Sequence, residues 1–395
     1  MKIKRMLSRN NCGGLVLPLV ATIVVFIFLI GIAVLKVGFG GRYIAAMTST
    51  QIAARSAADA GLTLALHEMN NTLWSDSALP SAGDVPLPNS RAYYSYSVAP
   101  NTVGGYTITS TGKRDGETRY VFAMTSRTLL WSYAIAVDGS LTFKPKTTID
   151  TYPDAAGEVD IRTNSTVPGA VWLGPDTHIP GDIVVGPGGA DDVVQVKASS
   201  EIDGQVYAAD STIDFPPVTV PADLLSMPLE DPCETGPWRI TEGPHRYRYI
   251  DRKQGGTLTI SGGVVSIYVE GTMQLGNGAK LEIENGSLLL YLGGDFTADN
   301  TSDIINATGE ASRLRMYGTA TCSKIVLRNS VAFYGAVYAP NADLYIHNSA
   351  ASYGSFIGKT FEMKNSGEFY YDTRLGEMDP TSEPSFFQVQ RWWER

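Results

Sequence analysis

Two hydrophobic periodicities divide the chain. From Asn10 through Leu35 no residue is charged, and the apolar core of that stretch, Gly13 to Leu35, counts 23 residues. As a helix rising about 1.5 Å per residue it reaches about 35 Å, more than the ~30 Å core of a bilayer. A transmembrane helix is expected there. Tyr43 to Asn70 then holds one glycine and no proline, with Ile44, Met47, Ile52, Ala57, Ala60, Leu64 and Met69 at three-to-five spacings. The helix should therefore continue beyond the membrane, with least stiffness near Gly38, Gly40 and Gly41. Past a Pro/Ser/Ala/Asp-rich connector, Pro80 to Pro88, the period shortens to two. Tyr93–Val98, Tyr106–Thr109 and Arg119–Met124 predict a small antiparallel meander lying against the helix's lower half.

The remaining body repeats itself. Tyr317-Gly318, Tyr334-Gly335 and Tyr353-Gly354 stand 17 and 19 residues apart, and Tyr370 follows after a further 17; Asn329-Ser330, Asn348-Ser349 and Asn365-Ser366 keep the same beat. Each Asn-Ser closes an alternating strand such as Leu344–Ile346 or Phe361–Met363. Gly169–Pro175, Gly181–Pro187 and Gly204–Asp210 read as earlier copies of Gly335–Asn341. A period near 20 with Asn/Gly corners predicts a parallel β-helix from about Ser132 to Tyr371. Seven prolines between Pro216 and Gly256 exclude that segment from the ladder, since each lacks a donor. The expected class is mainly β. Its order is leader 1–14, transmembrane and extended helix 15–79, antiparallel module 80–130, parallel β-helix 131–375 with an excursion at 216–256, and tail 376–395.

Composition narrows the function. Forty Gly and 21 Pro with only 18% charged residues exclude a helical bundle for most of the chain. The net charge of −9, with cations clustered only in the first nine residues, argues against nucleic acid as a partner. Lys2, Lys4, Arg5 and Arg9 should hold the amino-terminal flank in the cytoplasm, which places everything after Lys36 outside it. A cleavable secretory signal, cut in the small-residue stretch Gly31–Gly41, is the competing reading; Cys12 precedes the apolar run, so a lipoprotein signal fits worse.

The leader ending in Gly13-Gly14, the apolar helix from Leu15 and the run Ala57-Ala58-Asp59-Ala60-Gly61-Leu62 ahead of Ala65-Leu66 resemble the amino terminus of PilX-type minor pilins. That resemblance covers about 70 residues. It implies membership of a type IV pilus or type II secretion-like system, with a prepilin peptidase cutting after Gly14, so that Leu15 comes first, or after Gly13. Loss of the four leader cations takes the net charge from −9 to −13. Pilins carry a glutamate at the fifth mature position, where this chain has Leu19 or Pro18. The departure implies a tip position, where that charge pairing is unnecessary, or no incorporation into a filament. Gly335–Asn341, Tyr353-Gly354 and Phe369-Tyr370-Tyr371-Asp372 resemble the β-helical domain that often follows such amino termini. Its usual Phe-His-Tyr-Asp box has Tyr370 at the histidine position here, and the family implies architecture rather than an activity.

Catalytic chemistry finds little support. Asp182 with Asp191-Asp192, Asp203 with Asp210 and Asp214, and Asp295 with Asp299 and Asp303 are carboxylate groups of the kind polysaccharide-active β-helices use, but their spacings follow turns, where Asp bonds its own backbone. His67, His178, His245 and His347 stand far apart and read as surface or loop residues, so neither a metal nor another cofactor is expected. Cys233 and Cys322, both exported, could form one disulfide tying the excursion to the ladder. The 20 tyrosines read as interior packing first and a glycan-stacking face second, and Phe386-Phe387 with Trp392-Trp393 as a cap on the last rung, or a docking point. The expected function is a non-enzymatic envelope protein in the inner membrane. Its expected partners are pilus or secretion components and surface glycans; the alternative is a membrane-anchored polysaccharide-active enzyme acting through one of these Asp clusters, with Asp192 and Asp295 the residues whose substitution would test it.

Overall fold

The computed structural model describes residues 16–71, 79–101, 105–153, 159–299, 301–347, 350–378 and 385–395. The uncharged run and its alanine-rich continuation form one helix, α1 (Val16–Asn71), of 56 residues. Large apolar side chains from Leu19 to Phe39 are exposed, and the Thr22 hydroxyl donates to the Leu19 carbonyl at 2.8 Å, the internal partner a hydroxyl needs where water is missing. By length and composition this helix can cross a membrane. The chain divides into two compact units, Met1–Glu68 with Asp76–Thr125 and Val389–Arg395, and Met69–Ser75 with Ser126–Gln388.

In the first unit the sheet order is β1 (Ser81–Pro86), β2 (Tyr93–Pro100), β3 (Tyr106–Arg114), β4 (Glu117–Leu129) and the terminal strand Ser385–Glu394. β1 to β4 pair antiparallel. Asp115 and Gly116 join β3 to β4 with φ of 47° and 87°, the positive pair a tight two-residue hairpin demands. The small residues of α1 are the docking face: Ala54, Ala57, Ala58 and Ala65 are fully buried, one helical stripe. A Cβ on Gly112 of β3 would lie 1.8 Å from the Ala54 carbonyl oxygen, and one on Gly61 would lie 2.4 Å from the Ser110 hydroxyl. Helix backbone thus rests almost directly on strand backbone, which larger residues would prevent. Two expectations change. The connector forms an edge strand, because Ser81–Pro86 pairs with β2, and the tail is an edge strand rather than a cap: Tyr120 and Arg395 exchange backbone hydrogen bonds, and Trp393 stacks on Phe122 at 5.4 Å.

Among the described residues, the strands of the second unit's ladder pair parallel. Thr257, Lys280 and Asp303 lie side by side, as do Val264 and Ser287, and Ile183 and Val206, a step of 23 residues. Toward the carboxy terminus Phe333, Ser352 and Phe369 follow at 19 and 17. The step shortens because Leu314–Gly318 and Lys324–Leu327, two strands with a turn between, both pair with the single strand Phe333–Ile346. Inward positions are aliphatic or phenylalanine, among them Leu288, Leu290, Phe296, Phe333, Phe356 and Phe369, all fully buried.

Ladder order is not chain order. Ser352–Met363 is bordered by Ile135–Val137 and Leu141–Phe143, and Glu368–Asp372 by Thr148–Tyr152. The chain therefore enters the ladder in its middle, steps outward through Ile161 and Ile183 to Val206–Ala208, and restarts at Leu229–Glu230, stepping inward to meet its own beginning. Residues 211–227 make the return crossing. The Ser211 carbonyl accepts from Arg162 at 2.6 Å, Ile213 exchanges two bonds with the Asn164 amide, the Pro216 carbonyl accepts from Tyr338 at 2.6 Å, and Leu225 and Met227 carbonyls accept from Arg246. The expected excursion 216–256 is thus too long. Pro237–Ile240 and Pro244–Tyr247 are ladder strands, each with its proline at the first position, where the missing N–H is tolerated.

Candidate functional site

Tyr247 and Tyr371 pack in the ladder core, the expected interior role, but two tyrosine columns run along the outside of the parallel ladder. Tyr291, Tyr317 and Tyr338 occupy one register row; the second and third are buried beside Ile213, Phe215 and Val218 of the return crossing. Tyr334, Tyr353 and Tyr370 occupy another row and stay half-buried. The Tyr-Gly beat had placed Tyr317 with Tyr334, whereas its neighbour is Tyr338. The open row stacks nearly face to face, with ring centroids 4.4 Å and 4.9 Å apart and planes within 8° and 14°. Tyr152 meets Tyr353 edge-on at 5.0 Å, and the Arg374 guanidinium lies 5.2 Å from the Tyr152 ring centre.

Asp372 anchors this corner. It is buried, and its carboxylate accepts from Arg374 Nε at 2.8 Å and Nη2 at 2.7 Å and from the Ala311 backbone N–H at 3.3 Å, while Arg374 Nη2 also donates to the Gly309 carbonyl. Partial desolvation raises the pKa of Tyr334, Tyr353 and Tyr370 above the ordinary phenol value. Stacking occupies the ring faces between rungs. The hydroxyls of Tyr334 and Tyr353 also engage each other along the row. Tyr152 and Arg374 were not found from sequence, because the pairing that places Thr148–Tyr152 beside Glu368–Asp372 joins residues more than 200 positions apart.

Three of the aspartates bridge neighbouring rungs instead of bonding the backbone of their own turns. Asp295 Oδ1 accepts from the Ser323 N–H and hydroxyl, Asp303 Oδ1 accepts from both groups of Ser330, and Asp182 Oδ1 accepts from the Gln205 N–H. Asp192 is exposed in the short 3-10 turn Asp191–Val193. Asp214 and Asp138 line a cavity of about 310 Å³ with Phe215, Pro217 and Asn341, and among the described residues no histidine, lysine or arginine lines it. The histidines are less isolated than expected: His178 lies 2.9 Å from Asp203, His245 2.9 Å from Glu230 and His347 3.2 Å from Glu362, each carboxylate brought by the fold from a distant position.

Cys233 and Cys322 are free thiols here, the first half-buried with its Sγ 3.1 Å from the Thr235 carbonyl oxygen, the second fully buried. Burial pushes the Cys322 thiol up to about 12. The processing residues Gly13, Gly14 and Leu15, and the repeat pair Asn348-Ser349, lie outside the described residues.

A domain of unknown function (DUF7305) matches residues 230–378. Among solved structures, the crystal structure of the competence-associated pilin ComZ from Thermus thermophilus is similar over 88% of this chain and 97% of its own, at 13% identity and a TM-score of 0.26, a likeness too slight to carry an argument. No curated protein matches the chain.

Proposed function

We propose that this chain is a non-enzymatic component of a bacterial envelope, a PilX-like minor pilin or pseudopilin of a type IV pilus or type II secretion-like system. The parallel ladder is read as a β-helix presented on the periplasmic or extracellular side of the inner membrane, for assembly or for attachment to glycans. One observation carries the reading: a helix long and apolar enough to span a bilayer continues unbroken into a stripe of alanines docked on an antiparallel sheet. A membrane anchor alone would need no such stripe. The helix buries its second half against a sheet in the same chain, leaving its first half free for lipid or for neighbouring helices. The bonded aspartates favour a structural role for these carboxylates over the polysaccharide-active alternative, since Asp295 and Asp303 already hold two donors each.

Amino-terminal sequencing of protein extracted from its native membrane tests this directly. The expected first residue is Leu15, or Gly14 for a cut after Gly13, with co-purification of pilus-machinery proteins lost on replacing Gly14. An intact Met1, or cleavage of acidic or neutral glycans that disappears with Asp192→Asn or Asp295→Asn, would overturn it.

A further inference from the structure

We propose that His178, Glu201 and Asp203 bind one divalent transition-metal cation of the Zn2+ type on the outer face of the parallel ladder. His178 and Glu201 are register partners on adjacent parallel strands, and Asp203 lies two residues beyond Glu201. The alternation sets the direction: Ile179 is fully buried and Ile202 packs against the core, so His178, Glu201 and Asp203 all face outward. One ligand atom from each lies within 4.8 Å of the other two, and His178 Nε2 is 2.9 Å from Asp203 Oδ2. Ligand atoms sharing a Zn2+ at ~2.0–2.2 Å sit about 3–3.5 Å apart, so side-chain rotation alone closes the set.

The backbone beneath cannot easily drift. Glu201 N–H donates to the Thr177 carbonyl and Asp203 N–H to the Ile179 carbonyl, both at 3.0 Å, and the Thr177 N–H donates to the Ser200 hydroxyl. Three ligands on a rigid ladder are already placed, the condition under which a surface cluster binds rather than reorganises. The donor chemistry selects the ion class: one imidazole nitrogen with two carboxylates suits Zn2+ and its neighbours, whereas Ca2+ and Mg2+ prefer oxygen throughout. As a plain ion pair the same residues, about half exposed, would contribute little to stability. His245 and His347 each meet the carboxylate of a single glutamate, and among the described residues only the His178 group brings three metal-binding side chains together. Three protein ligands leave further positions to water, so this is an open site.

Isothermal titration of the full chain in detergent with Zn2+, in a Cys12→Ser, Cys233→Ser background that leaves the buried Cys322 as its one thiol, tests the assignment. The expected result is one Zn2+ per chain, with affinity reduced at least about tenfold by His178→Ala and by Asp203→Asn. His347→Ala, at a histidine with one carboxylate neighbour, should leave the isotherm unchanged, and circular dichroism should be identical across the set. Absence of saturable binding, or binding that survives His178→Ala, overturns the proposal.

Discussion

Single residues decide how closely the backbones of the first unit approach. Adding a Cβ to Gly112 puts it 1.8 Å from one helix carbonyl oxygen and 2.5 Å from the Ala58 nitrogen, atoms that cannot rotate away. Gly112→Ala should therefore cost about 1–3 kcal/mol or more, read as a drop in the thermal midpoint, whereas Gly83→Ala, with nothing within 4 Å of the new carbon, should shift it little. Equal effects at both positions would show that the close packing contributes nothing. Cys322 makes a different prediction. Its thiol ionises near 9.0 when unfolded and only near about 12 when folded, so its contribution is full below pH 9 and is lost as pH rises toward 12. Stability measured by urea titration should thus fall more steeply between pH 9 and 10 in the wild type than in Cys322→Ala, by up to about 1.4 kcal/mol per pH unit. Parallel curves would count against a buried thiol.

At the scale of elements, the helix, the meander and the parallel strands could be read from period alone, because a continuous apolar run and a two-residue alternation are local signals. The return crossing could not. Its prolines identify residues 216–228 as something other than ladder, but Pro237 and Pro244 carry the same signal while heading strands, and only the pairing partner tells them apart. The Asn-Ser beat likewise hides two roles: Asn329 is buried and exchanges bonds with the Ile304 backbone, while Asn365 is exposed beside Ser366, whose φ is 53°. The crossing itself is held by few bonds, among them Tyr338 to Pro216 and the Asn164 pair with Ile213. Tyr338→Phe with Asn164→Ala should release it before the ladder melts. Limited proteolysis would then show cleavage within residues 211–227 accelerated at least tenfold, at unchanged protection of the ladder strands. Cleavage that merely tracks global unfolding would show that the crossing is not a separable element.

For the whole molecule, the order of the ladder matters more than its length. A segment of residues 230–378, the stretch the domain match covers, ends on Ser352–Met363 and Glu368–Asp372, whose outer edges belong to residues 135–152. Cut free, it exposes two parallel strand edges and the phenylalanines Phe356, Phe361 and Phe369 behind them. It is therefore expected to aggregate, while residues 131–378 should unfold in one cooperative step. The two ends of that longer segment lie near each other, since the Tyr371 hydroxyl donates to the Trp131 carbonyl at 2.7 Å. A circular permutant that joins 378 to 131 through a short Gly/Ser linker and opens the chain between Thr219 and Val220, inside the return crossing, places every rung in chain order and leaves the ladder uncut. It should retain a single sharp transition in chemical denaturation. Opening instead between Leu289 and Leu290, in the middle of a fully paired strand, should abolish it. If both permutants unfold alike, the crossing is as integral to the ladder as its rungs, and the interrupted order has no bearing on how the unit holds together.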